Sequence, residues 1–325
     1  SFPHEFTVYQ GKLYFAAENR HQGKELWTFD EQTQQASLVA DINLGKGSSG
    51  PSELKIHNGK LYFKADDGRH GKRLWTYDAK TNRTQLAGLP LQAPFSPRYL
   101  TDYQGKLYFQ AFQPDSGNEI WMYDDQTDRM RMVADIQSGL SPSYPSYLTQ
   151  YDDKLYFAAE GNRQGNELWV YDGLTGKYRL VSDIHPGPAS SSPSYLTEYH
   201  GKLYFAAEDQ PHGVELWEFD EATGKSRLVA DINQGRNGSH PQYLTVFNNR
   251  LFFRAYSETH GYEIRVYDDQ TGTVRTIEDP LEGPHDAYPN SLIPSTDTLS
   301  FQTNQSHDNS HNQALFTRSP FAVRL

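Results

Sequence analysis

One short pattern recurs along the whole chain and limits what it can fold into. The triplet Leu-Tyr-Phe, or a close variant of it, begins at residues 13, 61, 107, 155, 203, 251 and, weakly, 299. Successive copies are therefore 48 residues apart, except for the second and third, which are 46 apart. A Glu-Leu-Trp-like segment and then a Leu-Val-Ala-Asp-like segment follow each triplet. A fixed period of this length predicts a repeat architecture built from identical supersecondary units.

Four segments of each repeat are predicted to be β-strands. They are short, rich in aromatic and β-branched residues, and separated by turn residues such as Gly, Asn and Asp. Four antiparallel strands in about 45 residues make one blade of a β-propeller. We therefore predict an all-β fold, a seven-bladed β-propeller of four-stranded antiparallel blades, with the first segment as the innermost strand. A ring of six blades with a degenerate seventh unit as an appendage is the alternative.

The chain is predicted to be one propeller domain over residues 1–325. The blades are expected at residues 3–45, 51–92, 97–140, 145–188, 193–236, 241–284 and 289–325.

The repeated motif resembles that of a known bacterial family. The segments ELWTFDEQT (25–33), ELWVYDGLTG (167–176) and ELWEFDEATG (215–224), with DIHPGPASSSPSYLT (183–197), are similar to the bacterial ELWxxDGT-repeat proteins. The resemblance covers roughly residues 3–280, although most copies have DEQT, DAKT or DDQT in place of the DGT part. It implies a secreted or surface-attached propeller and supplies no catalytic residues.

Composition excludes several classes of function. The net charge of −11, without a block of like charges, disfavours nucleic acid and anionic membranes as main partners. The chain has no Cys, which excludes disulfides, a thiolate nucleophile and a Cys-ligated metal. No apolar run approaches the ~18 residues of a transmembrane segment. The chain opens at Ser-Phe-Pro, as expected of a mature or excised segment. We expect an extracellular, cell-surface or periplasmic location.

The strictly repeated positions are predicted to be scaffold. Periodic apolar positions pack in a core, so the Leu-Tyr-Phe and Leu-Trp residues should pack blade against blade. An Asp that ends each third strand is predicted to make an Asx turn. These aspartates are Asp30, Asp78, Asp124, Asp172, Asp220 and Asp268.

Paired carboxylates are predicted on the third and fourth strands. If the hairpin closes symmetrically near Thr33, a Glu and an Asp lie opposite each other. The pairs are Glu25 with Asp41, Glu119 with Asp135, Glu167 with Asp183, Glu215 with Asp231, and Glu263 with Asp279. Because like charges opposite each other repel, a partner must satisfy them. The Ser-rich connecting loop can donate hydrogen bonds, a Ca²⁺ ion can bridge the pair, or a bulge can separate it. Apart from such a Ca²⁺ ion, no cofactor is predicted.

One end of the innermost strands is predicted to be the least regular part of the molecule. There the repeated Tyr position holds Tyr99, Tyr147, Tyr195 and Tyr243, but Glu5 and Glu53 in the first two blades. Preceding residues include His4 and Arg98. Loops at one face of a propeller are its usual binding surface, and Tyr suits sugars, peptides and amphipathic ligands. The competing prediction is that these rings only pack against one another inside the channel.

The sequence thus predicts a non-catalytic binding or assembly module for a carbohydrate, peptide or protein partner. No Gly-x-Ser-x-Gly, P-loop or His-Glu-x-x-His motif is present. A hydrolase or lyase using Glu5 and Glu53, and a structural subunit of a surface assembly, are the two alternatives.

Overall fold

The computed structural model describes residues 3–88, 96–278, 290–294 and 299–302. Every regular element within these ranges is a β-strand, so the all-β prediction is confirmed. Among the described residues there is no helix with the length and apolar character needed to cross a bilayer.

The strands follow one another at the positions that the repeat predicts. In the first three blades they are β1 His4–Tyr9, β2 Lys12–Asn19, β3 Gly23–Asp30, β4 Gln35–Ala40, β5 Ser52–His57, β6 Lys60–Asp66, β7 Lys72–Asp78, β8 Arg83–Leu86, β9 Arg98–Tyr103, β10 Lys106–Gln113, β11 Gly117–Asp124 and β12 Arg129–Ala134.

The remaining blades repeat the same order. Their strands are β13 Ser146–Tyr151, β14 Lys154–Glu160, β15 Asn166–Asp172, β16 Lys177–Ser182, β17 Ser194–Tyr199, β18 Lys202–Asp209, β19 Gly213–Asp220, β20 Lys225–Ala230, β21 Gln242–Phe247, β22 Arg250–Ser257, β23 Gly261–Asp268, β24 Thr273–Glu278, β25 Asn290–Pro294 and β26 Leu299–Gln302.

Neighbouring strands pair in sequence order. Six sheets have four strands each, and β25 pairs with β26 in a seventh sheet. The paired strands run antiparallel, as in Leu13↔Phe29 between β2 and β3. The prediction of four-stranded antiparallel blades is therefore confirmed for six blades, and two strands of a seventh are described. Of the predicted seventh blade, 289–325, the structure describes residues 290–294 and 299–302.

The chain divides into two compact units. The first comprises Ser1–Leu155 with Tyr171–Tyr178, and the second comprises Tyr156–Val170 with the described residues from Arg179 onward. In the first unit β1, β5, β9 and β13 contact one another in turn, and in the second unit β17, β21 and β25 do so. The first strand of each blade is thus the innermost one, as predicted.

The repeated apolar residues form the core within each unit. One cluster joins Tyr9, Tyr14 and Leu26 of the first blade to Leu61 and Phe63 of the second. A matching cluster in the second unit joins residues of the fifth and sixth blades. Leu61 and Phe63 have no exposed surface, so their packing accounts for a large part of the hydrophobic stabilisation. The scaffold role predicted for these positions is confirmed.

The third strands end in the turns that the aspartates predict. In all six complete blades, the aspartate carboxylate accepts the N–H of the residue two positions on, as in Asp30 with Gln32 at 2.9 Å. This is the Asx turn that a short carboxylate makes with its own backbone.

Candidate functional site

The glutamates at the start of the Glu-Leu-Trp motif are buried. Glu25, Glu119, Glu167 and Glu215 have no exposed surface, and Glu263 is 1% exposed. The hairpin after β3 does not close symmetrically near Thr33, because Asp30 pairs with Gln35. A bulge then places Ala40 opposite Leu26, so that Asp41 follows at the level of Glu25. Asp41 therefore lies at the level of Glu25, as predicted, but a bulge and not a symmetric turn brings it there.

A serine of the following loop satisfies each of four glutamates. Glu119 accepts the Ser143 N–H at 2.8 Å, the Ser143 hydroxyl at 2.5 Å and the Ile136 N–H at 3.1 Å. The same serine contact recurs in Ser49 with Glu25, Ser191 with Glu167 and Ser239 with Glu215. We call each pair a glutamate–serine anchor. This is the hydrogen-bonded alternative of the sequence analysis.

The anchors also hold the loops to the next blade. The Ser49 carbonyl accepts the Asp66 N–H at 3.0 Å, and the Ser239 carbonyl accepts the Tyr256 N–H at 2.7 Å. Each of these loops is therefore fixed between the third strand of one blade and the second strand of the next. Charge-assisted hydrogen bonds of this kind contribute about 1.5–3 kcal/mol.

Burial raises the pKa of the four anchored glutamates above its ordinary value. Burial raises the pKa of Glu119 and of Glu215 to about 7, although the serine and backbone donors act in the opposite direction. Burial also raises the pKa of Glu25 and of Glu167. The negative charge of Asp135 adds to the increase at Glu119.

The paired aspartates are less buried than the glutamates. Asp41 accepts the Gly45 N–H at 3.3 Å, and Asp183 accepts the Gly187 N–H at 3.4 Å. Asp135 is half-buried, Asp231 is exposed, and Asp279 lies outside the described residues. Within the described ranges, no three carboxylates or imidazoles come together as metal ligands. A calcium ion at Glu25 would compete with the protein groups that already donate hydrogen bonds to the Glu25 carboxylate. Calcium binding stays a prediction.

The second blade replaces its glutamate by a buried arginine. Arg73 is 8% exposed, and its Nε donates to the His70 carbonyl at 2.9 Å. Leu89, which stands at the aspartate position of this blade, lies outside the described residues.

The variable position of the innermost strands has an unusual backbone conformation. Its residues are Glu5, Glu53, Tyr99, Tyr147, Tyr195 and Tyr243, and their φ angles lie between 54° and 60°. A bulge between the first and second strands of the blade contains this residue at Glu5, Glu53, Tyr99, Tyr195 and Tyr243. A positive φ costs a non-glycine residue about 1–3 kcal/mol. The surrounding fold holds this position in the same strained conformation in six blades.

The leucine and threonine that follow explain how the bulge is held. Leu148 and Leu244 are 7% and 8% exposed, so they fix the strand to the core. The Thr197 hydroxyl lies 2.9 Å from the Tyr195 carbonyl and 3.3 Å from the Leu244 carbonyl of the next blade. The repeated Tyr-Leu-Thr is thus a unit in which each residue has a separate structural role.

In the first unit, the variable residues contact one another in sequence. The Glu5 carboxylate accepts the Glu53 N–H at 3.0 Å, and the Glu53 carboxylate accepts the Tyr99 N–H at 2.8 Å. The rings of Tyr99 and Tyr147 lie 5.7 Å apart between centroids. The predicted neighbourhood of the two glutamates and two tyrosines is therefore present. Their side chains are partly occupied by mutual contacts.

His4 and Arg98 flank this group and are both exposed. Arg98 acts on the pKa values of its neighbours, which places its charge close to the group. Its positive charge opposes the effect of burial on the pKa of Tyr99 and adds to it on the pKa of Lys64.

Lys64 is a member of this group that the sequence analysis missed. Its Nζ lies 3.8 Å from Glu53, and its side chain is 12% exposed. Burial lowers the pKa of Lys64, whereas the charge of Glu53 acts to raise it.

In the second unit, the variable residues form an aromatic group. The Tyr195 and Tyr243 rings lie 5.7 Å apart. The Arg254 guanidinium lies 5.1 Å from the centroid of the Tyr243 ring and 5.0 Å from that of Tyr262. These are cation–π distances. Arg254 and Tyr262 were also missed by the sequence analysis.

One signal in the sequence could have found both cations. Lys64 and Arg254 stand at the first alanine of the Tyr-Phe-Ala-Ala pattern, a position opposite the first residue of the innermost strand. The other blades have Ala16, Gln110, Ala158 and Ala206 there. A comparison of the copies at this position would have marked the second and sixth blades as exceptional.

Several solved structures have a similar fold, and one of them is a β-propeller domain. A prolyl endopeptidase matches with a TM-score of 0.63 and 13% identity, over 93% of this chain and 46% of that one. The β-propeller domain of the Trilobed protease from Pyrococcus furiosus matches with a TM-score of 0.57 and 10% identity, over 94% and 92%. These likenesses show that the fold is a β-propeller.

A third similar structure is the extracellular domain of a putative one-component system from B. thetaiotaomicron. Its TM-score is 0.58 and its identity 14%, over 93% of this chain and 37% of that one. The chain spans about half the length of the peptidases that it matches. No family model and no curated protein matches the sequence.

Proposed function

We propose that this chain is a non-catalytic, extracytoplasmic binding module. Its ligand is a carbohydrate, peptide or protein partner, bound where the innermost strands begin. One observation carries the proposal. In each unit, two half-buried tyrosines at this position lie close together and a cation replaces an alanine of the second strand.

The residues at this position have the properties of a binding surface. Tyrosine combines an apolar ring with a polar hydroxyl, and it loses little conformational entropy on binding. Because a strained bulge and the following threonine hold the main chain at each tyrosine, and the rings pack in pairs, the surface is ordered before the ligand arrives. Pre-organisation of this kind lowers the entropic cost of binding.

The extracytoplasmic location has two supports. The repeat resembles that of the ELWxxDGT proteins, and we propose membership of that family. The fold is also that of a sensor's extracellular domain, although the similarity extends to the fold alone.

Glycan and peptide arrays test the proposed function directly. We expect the protein to bind at least one class of ligand, and we expect Tyr195→Ala and Glu53→Gln each to weaken or remove that binding. Tyr178→Ala is the matched control, since Tyr178 is 38% exposed on the outermost strand of its blade. Absence of any binder, or binding that neither variant changes, would contradict the proposal.

A further inference from the structure

The outermost strand of each complete blade is an open sheet edge. β4, β8, β12, β16, β20 and β24 stand at the end of their sheets, and among the described residues each pairs only with the third strand of its own blade. Such an edge presents backbone N–H and C=O groups that can pair with another strand. Proteins protect these edges with charged side chains, which prevent unwanted strand addition.

Five of these six described edge strands carry a cation. In four of them an exposed arginine stands at the third position of the strand. These arginines are Arg131, Arg179, Arg227 and Arg275. β8 has Gln85 at that position and begins with the exposed Arg83. β4 is the exception, because its sequence is Gln-Ala-Ser-Leu-Val-Ala, with Ser37 at the arginine position.

The edge of β4 is regular where it lacks a charge. Gln35, Ala36 and Ser37 are exposed. The ladder with β3 runs without interruption from Gln35 to Leu38, and the bulge follows only beyond Leu38. Because a bulge twists an edge away from a partner, the stretch open to strand addition is residues 35–38. Ser37 lies within this stretch.

Two carboxylates flank the uncharged edge. Glu31 lies in the exposed turn before β4, and Asp41 directly follows the strand. Neither side chain forms an ion pair among the described residues, whereas Asp30 pairs with Lys12 at 3.0 Å. The whole chain carries a net charge of −11. The edge of β4 is therefore complementary in charge to a basic partner.

The same charges disfavour a second copy of the chain at this edge. Antiparallel pairing of β4 with β4 of another copy would bring Glu31 of each copy towards Asp41 of the other, and like charges repel. Pairing along residues 35–38 also covers only about 14 Å of strand. A stable dimer buries about 800 Å² of each partner. A short segment of a different protein fits the edge better.

We infer that the edge of β4 binds an extended peptide segment of a partner protein, with uncharged residues at its centre and a lysine or arginine towards each end. The segment adds a fifth strand to the first blade, through backbone hydrogen bonds to residues 35–38. Its cations face Glu31 and Asp41. Because β4 lies at the opposite end of the blade from β1, this surface is distinct from the proposed ligand site, and the inference goes beyond the proposed function.

Fluorescence anisotropy with three labelled octapeptides tests the inference. The first peptide alternates Thr and Val over six residues and has a lysine at each end. The second has a glutamate at each end instead. The third is the lysine peptide with its six central backbone nitrogens methylated, which removes the donors of a strand ladder. We expect the lysine peptide to bind, and each of the other two to bind at least about 10-fold more weakly.

A substitution on β4 locates the binding. Ser37→Arg should weaken binding of the lysine peptide by at least about 10-fold, because it gives β4 the arginine of four other edges. It should fold for the same reason. Gln85→Arg is the matched control, since it makes the same kind of change at the equivalent position of β8, and it should leave binding unchanged.

The inference is overturned if the folded protein does not bind the lysine peptide. Equal binding of the glutamate peptide or of the methylated peptide, or an equal loss in the two arginine variants, would also overturn it. Sedimentation tests the other occupant, because a dimer that Ser37→Arg dissociates would assign the edge to a second copy and not to a partner. If Ser37→Arg does not fold, the comparison of the three peptides on the unmodified protein still decides.

Discussion

Two positions of the repeat differ in how much their residue varies from blade to blade. The glutamate that begins the Glu-Leu-Trp motif is buried and anchored to a loop serine in the same way in four blades. The residue at the bulge of the innermost strand is Glu in two blades and Tyr in four. The backbone at the bulge is nevertheless equally constrained. Variation is therefore confined to side chains at a position where the scaffold fixes the main chain.

From this comparison we expect the anchored glutamate to determine stability and the bulge residue to determine ligand recognition. The loss of a buried carboxylate leaves several donors without partners, which is costly. A change at a tyrosine of the bulge leaves the hydrogen bonds that pair the strands intact.

The largest expected effect follows from removal of one anchor. Glu119→Ala should lower the free energy of unfolding by about 3 kcal/mol, because the Ser143 and Ile136 donors lose their acceptor in the core. Chemical unfolding in urea measures the change. Glu31→Ala, in an exposed turn, is the control and should have an effect below about 0.5 kcal/mol. Equal effects of the two substitutions would show that the anchor has no structural role.

A smaller effect is expected from pH. Burial raises the pKa of Glu119 to about 7 from an ordinary value of 4.5, so the folded state binds this proton more tightly than the unfolded state. Its contribution to stability is fully present below about pH 4.5 and is lost as the pH rises through about 7. The free energy of unfolding should thus fall between pH 5 and pH 8, by about 2–3 kcal/mol from Glu119.

The variant Glu119→Gln separates the titration of Glu119 from the titration of the histidines. Hydrogen bonds to Asp269 and Asp209 raise the pKa values of His200 and His212, which gives a slope of the same sign. Glu119→Gln should flatten the slope in urea unfolding measured across this window. A slope identical to that of the unmodified protein would show that Glu119 does not titrate there.

The smallest effect is expected from chelation. The anchors already supply hydrogen-bond donors to the glutamates, so excess chelator should shift the melting temperature by less than about 1 °C. A melting temperature that falls by several degrees in chelator and recovers with Ca²⁺ would support the calcium alternative instead, since a ligand of the folded state stabilises it.

Much of the fold could be predicted because each copy of the repeat carries the same strand and turn signals. The strands, the order of pairing and the Asx turns at residues such as Asp30 follow from local patterns. The register of the third and fourth strands could not be derived by assuming a symmetric turn. The turn pairs Asp30 with Gln35, and a bulge after Trp27 then shifts the pairing by one residue, to Leu26 with Ala40. A bulge inserts one extra residue into a strand and has no characteristic composition, so it is difficult to predict from a single sequence.

The candidate site was predicted in part. The contacts among Glu5, Glu53 and Tyr99 follow from their equivalent places on successive innermost strands. Lys64 and Arg254 were missed because they lie on the second strand, in a stretch where the apolar pattern is otherwise intact. Their importance depends on which side chains lie across the bulge, and that is a property of the folded chain.

The alanine position has a consequence for how such a molecule can change its specificity. Ala206, Gln110 and Arg254 occupy it on identical strand pairings, opposite Ser194, Arg98 and Gln242. A substitution there can introduce or remove a charge beside the tyrosines while the hydrogen-bond ladder stays as it is. If the proposed function holds, each copy of the repeat therefore offers a separate place at which one codon can redirect ligand choice without refolding the protein.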